Sequence, residues 1–159
     1  MNNMWPKQTY GEMTKFFGPI GTNLKYITVP EKYPLKLYNG SEKLQKLYVN
    51  NRIAEPVIRV LNKVLEHYGS DKINNSGMDL FFGCYNPRRM RGGSNWSTHA
   101  WGAALDFDAA YNPLRWKKDR ARLARQFYDK WWEIWEDEGA VSLGRVKDFD
   151  WMHVQFARI

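Results

Sequence analysis

The most informative stretch of this chain is Ser97-Thr98-His99-Ala100-Trp101-Gly102-Ala103-Ala104-Leu105-Asp106, and it indicates how the middle of the protein folds. The small and apolar residues after Gly102 predict a largely buried strand from about 103 to 108. Glycine has no Cβ, so the backbone can turn at Gly102 just before this strand. His99 is therefore expected on the turn and Asp106 on the strand, seven positions further along.

A second cluster of polar residues, Asp150-Trp151-Met152-His153, lies close to the C-terminus. The pattern from about 151 to 156 predicts a last strand, which has His153 and Gln155 on the same side. This strand is distant in sequence from the first motif, so only folding can bring His153 near His99.

Two imidazoles and one carboxylate suit a hydrolytic zinc ion, because Zn²⁺ binds both ligand types and three protein ligands leave a position open for water. The candidate metal ligands are His99, Asp106 and His153. Asp150, three residues before the second histidine, is the candidate proton acceptor. A histidine taken singly is more often structural than metal-binding, so the spacing alone leaves both interpretations open. Asp108 is interpreted as a residue behind the ligands or on the surface.

The first motif, Ser97-x-His99-x-x-Gly102-x-Ala104-x-Asp106, resembles the Ser-x-His-x-x-Gly-x-Ala-x-Asp signature of the D-alanyl-D-alanine metallopeptidases. That family contains VanY- and VanX-type peptidases and the L-alanyl-D-glutamate endolysins of bacteriophages. Trp151-x-His153 is similar to its second motif, and the resemblance spans about residues 80–156. It implies the small α+β fold that the family shares with lysostaphin-type peptidases and the hedgehog signalling domain.

The resemblance also implies an activity, namely zinc-dependent hydrolysis of an amide bond in the stem peptide of peptidoglycan. His99, Asp106 and His153 would bind Zn²⁺, and Asp150 would be the catalytic base. Many members have Glu at the position of the base, whereas Asp is the form in the phage endopeptidases. We therefore expect an L-Ala-D-Glu endopeptidase of endolysin type, with D-Ala-D-Ala carboxypeptidase as the next choice.

Substrate binding is expected from the segment upstream of the first motif, residues 83–92, because it resembles the region that supplies an arginine in this family. That arginine would bind a substrate carboxylate or stabilise the oxyanion. Arg88 is the first candidate and Arg91 the second, although all arginines of this loop are equally compatible with solvated surface charges. Ser97, which opens the first motif, is a further candidate substrate-binding residue.

The periodicity of apolar residues predicts an α+β fold, in which helices pack on a small, mainly antiparallel sheet. Two helices and three strands are expected, at about 54–68 and 117–138 for the helices and at about 78–82, 103–108 and 151–156 for the strands.

The length of 159 residues fits one zinc peptidase domain. Residues 1–50 contain many Gly and Pro residues and few periodic stretches, so they are expected as an arm of loops and short extended pieces packed on the core. Residues 51–159 would form the catalytic core.

Charge and composition restrict the expected partners. The net charge of +7 favours anionic partners such as the bacterial cell wall, but the basic residues are scattered, which argues against nucleic acid. No apolar run approaches the roughly 20 residues that span a bilayer, so no stable membrane association is expected. We expect a monomer.

The first residues lack the apolar core of a secretory signal, which predicts synthesis in the cytoplasm and action on the wall after release. The alternative function is a non-catalytic cell-wall binding module on the same scaffold.

Overall fold

The computed structural model describes residues 4–90 and 92–159. The helices within these residues are α1 (Tyr10–Phe17), α2 (Ala54–Tyr68), α3 (Ser70–Ile73), α4 (Asp129–Asp137) and α5 (Leu143–Lys147). The strands are β1 (Leu24–Thr28), β2 (Lys36–Leu37), β3 (Lys46–Asn50), β4 (Leu80–Gly83), β5 (Ala104–Phe107), β6 (Val141–Ser142) and β7 (His153–Gln155).

The main sheet has five strands in the order β2-β4-β5-β7-β6, and β1 pairs with β3 in a separate antiparallel pair. Within the main sheet only the short pairing of β2 with β4 is parallel. The helices lie outside the sheet and share one hydrophobic cluster with it. The predicted α+β class, with a small and mainly antiparallel sheet, is therefore confirmed.

The helix α2 has the bounds that the sequence predicts. Its apolar residues recur at helical spacing, and Val57, Val60, Leu61 and Val64 are completely buried. Complete burial of each such side chain stabilises the fold by roughly 1.5–3 kcal/mol. Gly69 ends the helix at a φ of +79°, which a residue with a Cβ rarely adopts.

The second predicted helix, over 117–138, is wrong in its first half, because α4 is the only α-helix within that range. The preceding residues form short 3₁₀ turns. The N–H of Leu123 donates to the side chain of Asn112 (2.8 Å), and its carbonyl accepts from the indole of Trp132 (2.8 Å). These tertiary hydrogen bonds occupy backbone groups that a continuous helix would pair within itself.

Residues 1–50 contain more regular structure than the predicted loops and short extended pieces, since they form α1 and the strands β1 to β3. Thr9 caps α1 by accepting a hydrogen bond from the N–H of Glu12 (3.4 Å). The spacing of Thr9 and Glu12 is that of a capping box, so the sequence did carry a signal for this helix.

The N-terminal residues pack on the C-terminal ones. The ring centroids of Trp5 and Phe156 are 4.9 Å apart, and Met13 and Phe17 are completely buried in the same hydrophobic cluster. The backbone of Gln8 also donates to the carbonyl of Arg158 (2.8 Å). This packing brings the N-terminal segment beside β7.

The strand predicted at 103–108 is β5, which is one residue shorter at each end, and the other two predicted strands differ more. The strand predicted at 78–82 is β4, which begins later because the buried Asp79 carboxylate accepts the N–H groups of Asn75 and Gly77 in a turn. The strand predicted at 151–156 is β7, which begins only after a turn at Asp150, whose φ is +55°. Within the described residues, none of the helices combines the length and the apolar character that a membrane span requires.

Candidate metal centre

The two distant motifs meet in the middle of the main sheet. β5 and β7 are antiparallel neighbours, and Asp106 lies directly opposite His153 in their register. His99 lies on the 3₁₀ turn Thr98–Trp101, which ends at Gly102 with a φ of +68° and leads into β5. All three side chains are buried, and one ligand atom from each lies within 4.8 Å of the others. This His-Asp-His group could hold a metal ion.

The imidazole of His99 is oriented by a backbone carbonyl. Its Nδ1 lies 2.7 Å from the carbonyl oxygen of Cys84, which can only accept, so Nδ1 carries the proton. The lone pair is then on Nε2, which lies 3.1 Å from Oδ2 of Asp106. This Nε2 is buried and has no hydrogen-bond partner among the described residues. A cation bound between these groups would give it one.

The imidazole of His153 is oriented in a similar way. Its Nε2 lies 2.9 Å from Oε1 of Gln155, whose amide nitrogen donates to Oε1 of Gln8 (2.8 Å) and to the carbonyl of Ala157 (2.9 Å). Because Gln155 presents its oxygen, Nε2 is the protonated nitrogen when the ring is neutral. The other nitrogen, Nδ1, faces Asp106 Oδ1 at 3.1 Å.

The electrostatics of the group favour a cation. Burial raises the pKa of Asp106, but the electrostatic effect of the adjacent His99 and His153 imidazoles outweighs it and holds this pKa well below its ordinary value. Burial lowers the pKa of His153, but the hydrogen bond and charge of Asp106 outweigh it and raise the pKa to about 9. This raised pKa means that His153 holds a proton when no metal is bound. A divalent cation that binds at the His-Asp-His group would displace that proton. The two nitrogens and one oxygen are a ligand set that zinc accepts.

Asp150 lies beside this group and outside the ligand set. Its Oδ2 is 4.0 Å from Nδ1 of His153. The left-handed turn at Asp150 is held by its N–H, which donates to the carbonyl of Leu114 (2.8 Å), and by its carbonyl, which accepts from His153 (3.1 Å). The carboxylate thus lies next to the His-Asp-His group without belonging to it.

The candidate substrate-binding residues differ in their surroundings. Arg88 is half-buried and lines the same cavity as the candidate ligands. Ser97 accepts the N–H of His99 (3.2 Å), and its own N–H donates to the carbonyl of Arg88 (2.9 Å), so it connects the arginine loop to the histidine turn. Arg89 packs over the Trp96 ring and donates to a loop carbonyl. Arg91 lies outside the described residues.

The cavity has a volume of about 570 Å³, and the candidate ligands and Asp150 lie among its lining residues. Apolar side chains supply much of the remaining wall, including Phe82, Leu114, Leu143 and Phe149. A cavity of this size accommodates a short peptide or a sugar unit.

Asp108 belongs to a different group, and its interpretation as a residue behind the ligands or on the surface is corrected. It is 1% exposed and forms an ion pair with Arg122 (2.7 Å) and a hydrogen bond with the Asn112 amide (2.9 Å). A Cβ on Gly77 would lie 2.4 Å from the Asp108 carboxylate. Asp108 therefore stabilises the connection after β5 and takes no part in the centre.

Three contributors to the centre were missed in the sequence. Gln155 could have been found, because it lies two positions after His153 on the same side of a predicted strand. Neither Gln8 nor the carbonyl of Cys84 left a local signal, since both reach the centre only through tertiary contacts.

Comparison of this chain with protein-family models, with curated proteins and with solved structures gives no match.

Proposed function

We propose that this protein is a zinc-dependent peptidoglycan peptidase that hydrolyses an amide bond of the stem peptide. The observation that carries the proposal is the convergence of two oriented imidazoles and an ionised carboxylate in the wall of a cavity, with a second carboxylate 4.0 Å from one imidazole. Three protein ligands and an adjacent base suit hydrolysis better than a closed structural site. The resemblance of both motifs to the D-alanyl-D-alanine metallopeptidases supports the substrate class and the hedgehog-like fold.

Each residue has a defined task in this proposal. His99, Asp106 and His153 would hold Zn²⁺, and the bound ion would supply polarisation of the scissile carbonyl and a lower pKa for water. Asp150 accepts the proton of the attacking water at its carboxylate and returns it to the leaving amine. Arg88 binds a carboxylate of the substrate or stabilises negative charge that develops at the carbonyl oxygen.

Among the candidate bonds we favour L-Ala-D-Glu, as in a phage endolysin, over D-Ala-D-Ala. The support is the aspartate at the position of the base, where carboxypeptidases of the family often have glutamate. The net charge of +7 suits an anionic cell wall as the partner.

The test is digestion of purified cell walls, followed by mass spectrometry of the released muropeptides. We expect new termini at one bond, loss of hydrolysis in excess chelator and its return with Zn²⁺. Asp150→Asn should retain the metal and lose turnover by roughly 10²–10⁴-fold. Asp148→Asn is the matched control, because the Asp148 carboxylate accepts from Lys118 and Trp151 rather than facing the ligands. Full hydrolysis in excess chelator would refute the proposal.

The alternative, a non-catalytic wall-binding module, gives a different result in the same assay. Such a module would sediment with cell walls and release no new amino groups, with or without Zn²⁺. It would also bind equally well after Asp150→Asn.

A further inference from the structure

Two large aromatic side chains remain exposed beside the cavity. Tyr38 is 51% exposed and Phe82 is 41% exposed, and their ring centroids are 5.0 Å apart with the ring planes at 79°. We call this pair the aromatic shelf. Its two nearly perpendicular rings form an apolar corner open to solvent, whereas most other aromatic side chains of the chain lie in the hydrophobic cluster. Exposed apolar surface that adjoins a cavity commonly marks a binding site.

The sheet order places the shelf on one side of the candidate metal centre. Phe82 lines the cavity, and the next residue of β4, Gly83, lies opposite Asp106 of β5. Tyr38 directly follows β2, which is the outer neighbour of β4. On the other side, β6 leads into α5, which contributes Lys147 to the cavity wall. A substrate that crosses the centre would contact the shelf at one end and α5 at the other.

We propose that the aromatic shelf binds a pyranose ring of the glycan strand, so that stem peptides still attached to sugar are the preferred substrates. This inference rests on the proposed function. Pyranose rings present apolar C–H faces with a polar rim, and they are recognised by an aromatic surface beside amide or guanidinium donors. Asn86, from the loop after β4, lines the same cavity and supplies such an amide donor.

The peptide part of the substrate fits the shelf less well. Near the candidate bonds the stem peptide has alanine and glutamate, whose side chains are too small or too charged to cover two aromatic rings. The sugar that carries the peptide lies next to the L-Ala-D-Glu bond and is the nearest group with an extended apolar face. The proposal therefore orients the substrate, with its sugar over β4 and the rest of the peptide toward α5.

The first test measures sugar binding without turnover. Glycan strands stripped of peptide by an amidase are titrated into the full chain carrying Asp150→Asn, by calorimetry. Tyr38→Ala or Phe82→Ala should weaken binding roughly tenfold, and Tyr38→Phe should retain it.

The control is Tyr26→Ala, because Tyr26 and Tyr48 form another exposed ring pair, 4.7 Å apart, on the β1–β3 strands. Absence of glycan binding, equal affinity in the shelf variants, or a loss with Tyr26→Ala instead would overturn the proposal.

The second test compares glycan-linked and free stem peptides as substrates of the active chain. Tyr38→Ala should reduce kcat/KM for the glycan-linked peptide roughly tenfold more than for the free peptide. An equal loss on both substrates would mean that the shelf binds peptide, and would overturn the assignment to sugar. If no peptide is cleaved at all, the proposed function fails, but the glycan titration still decides whether the shelf binds saccharide.

Discussion

Oε1 of Gln155 lies 2.9 Å from Nε2 of His153, and both side chains project from the same side of β7. The amide nitrogen of Gln155 donates to Oε1 of Gln8 and to the carbonyl of Ala157. These two hydrogen bonds fix the orientation of the amide, so that its oxygen faces the imidazole. This contact presents Nδ1 of His153 to Asp106 across the sheet. A partner of this kind orients a metal-binding histidine and raises its basicity.

Gln155→Leu should weaken zinc binding roughly 10- to 100-fold, because the imidazole loses the acceptor that sets its tautomer. Competition with a chromophoric chelator measures this affinity directly. Gln155→Glu keeps an acceptor and should retain most of the binding. Gln8→Ala removes only the outer member of the network and is the matched control. Equal affinity of Gln155→Leu and the unmodified chain would contradict the positioning role.

Gly102→Ala should destabilise the fold by about 2–4 kcal/mol and weaken zinc binding. Gly102 has a φ of +68°, and a Cβ there would lie 2.6 Å from Leu24 Cδ2 and 3.0 Å from the backbone nitrogen of Asn50. Strain and overpacking both contribute. Gly40→Ala is the control, since Gly40 has a similar φ of +73° but open space around it. It should lose only about 1–2 kcal/mol. Urea denaturation measures the free energy of unfolding of both variants. Equal losses of stability would mean that the close contacts at Gly102 add nothing to the cost of its backbone conformation.

Arg88→Gln should reduce kcat/KM on stem peptides by roughly 10- to 100-fold, which is the loss of one charge-assisted hydrogen bond to a carboxylate. Arg89→Gln should have little effect, because Arg89 packs over Trp96 and donates to the carbonyl of Ser94 outside the cavity. Steady-state kinetics on a defined peptide separates these variants. A larger loss for Arg89→Gln than for Arg88→Gln would mean that Arg88 is not the arginine that binds the substrate.

Arg122→Met should destabilise the fold by about 3 kcal/mol, because it leaves the completely buried Asp108 carboxylate without its cation. Arg59→Met removes a comparable bidentate pair with Glu138, but the Arg59 side chain is 51% exposed. We expect a loss of only about 0–1 kcal/mol there. Chemical denaturation measures both free energies of unfolding. Similar losses of stability in the two variants would mean that the burial of Asp108 does not determine how much its ion pair with Arg122 contributes.

Local pattern was sufficient where a segment's own side chains determine its structure. The bounds of α2 follow from apolar residues at helical spacing and from a glycine after its last turn. The predicted helix over 117–138 fails because Leu123 pairs its backbone with the side chains of Asn112 and Trp132, which periodicity cannot reveal. The helix α1 was missed although its capping residues were present.

For the candidate site, too, some features follow from the sequence and others only from the tertiary structure. By itself the sequence determined which residue types are present for metal binding, namely His99 and Asp106 at a fixed offset and His153 near Asp150. Only the tertiary structure decided that they converge, because the pairing of β5 with β7 joins residues 47 positions apart.

The tertiary structure also decided which nitrogen of each histidine faces the centre. The groups responsible are the Cys84 carbonyl and the Gln155 amide, and a hydrogen bond acts through space irrespective of separation along the chain. A motif can therefore name the ligands of a centre, whereas their orientation depends on neighbours that folding supplies.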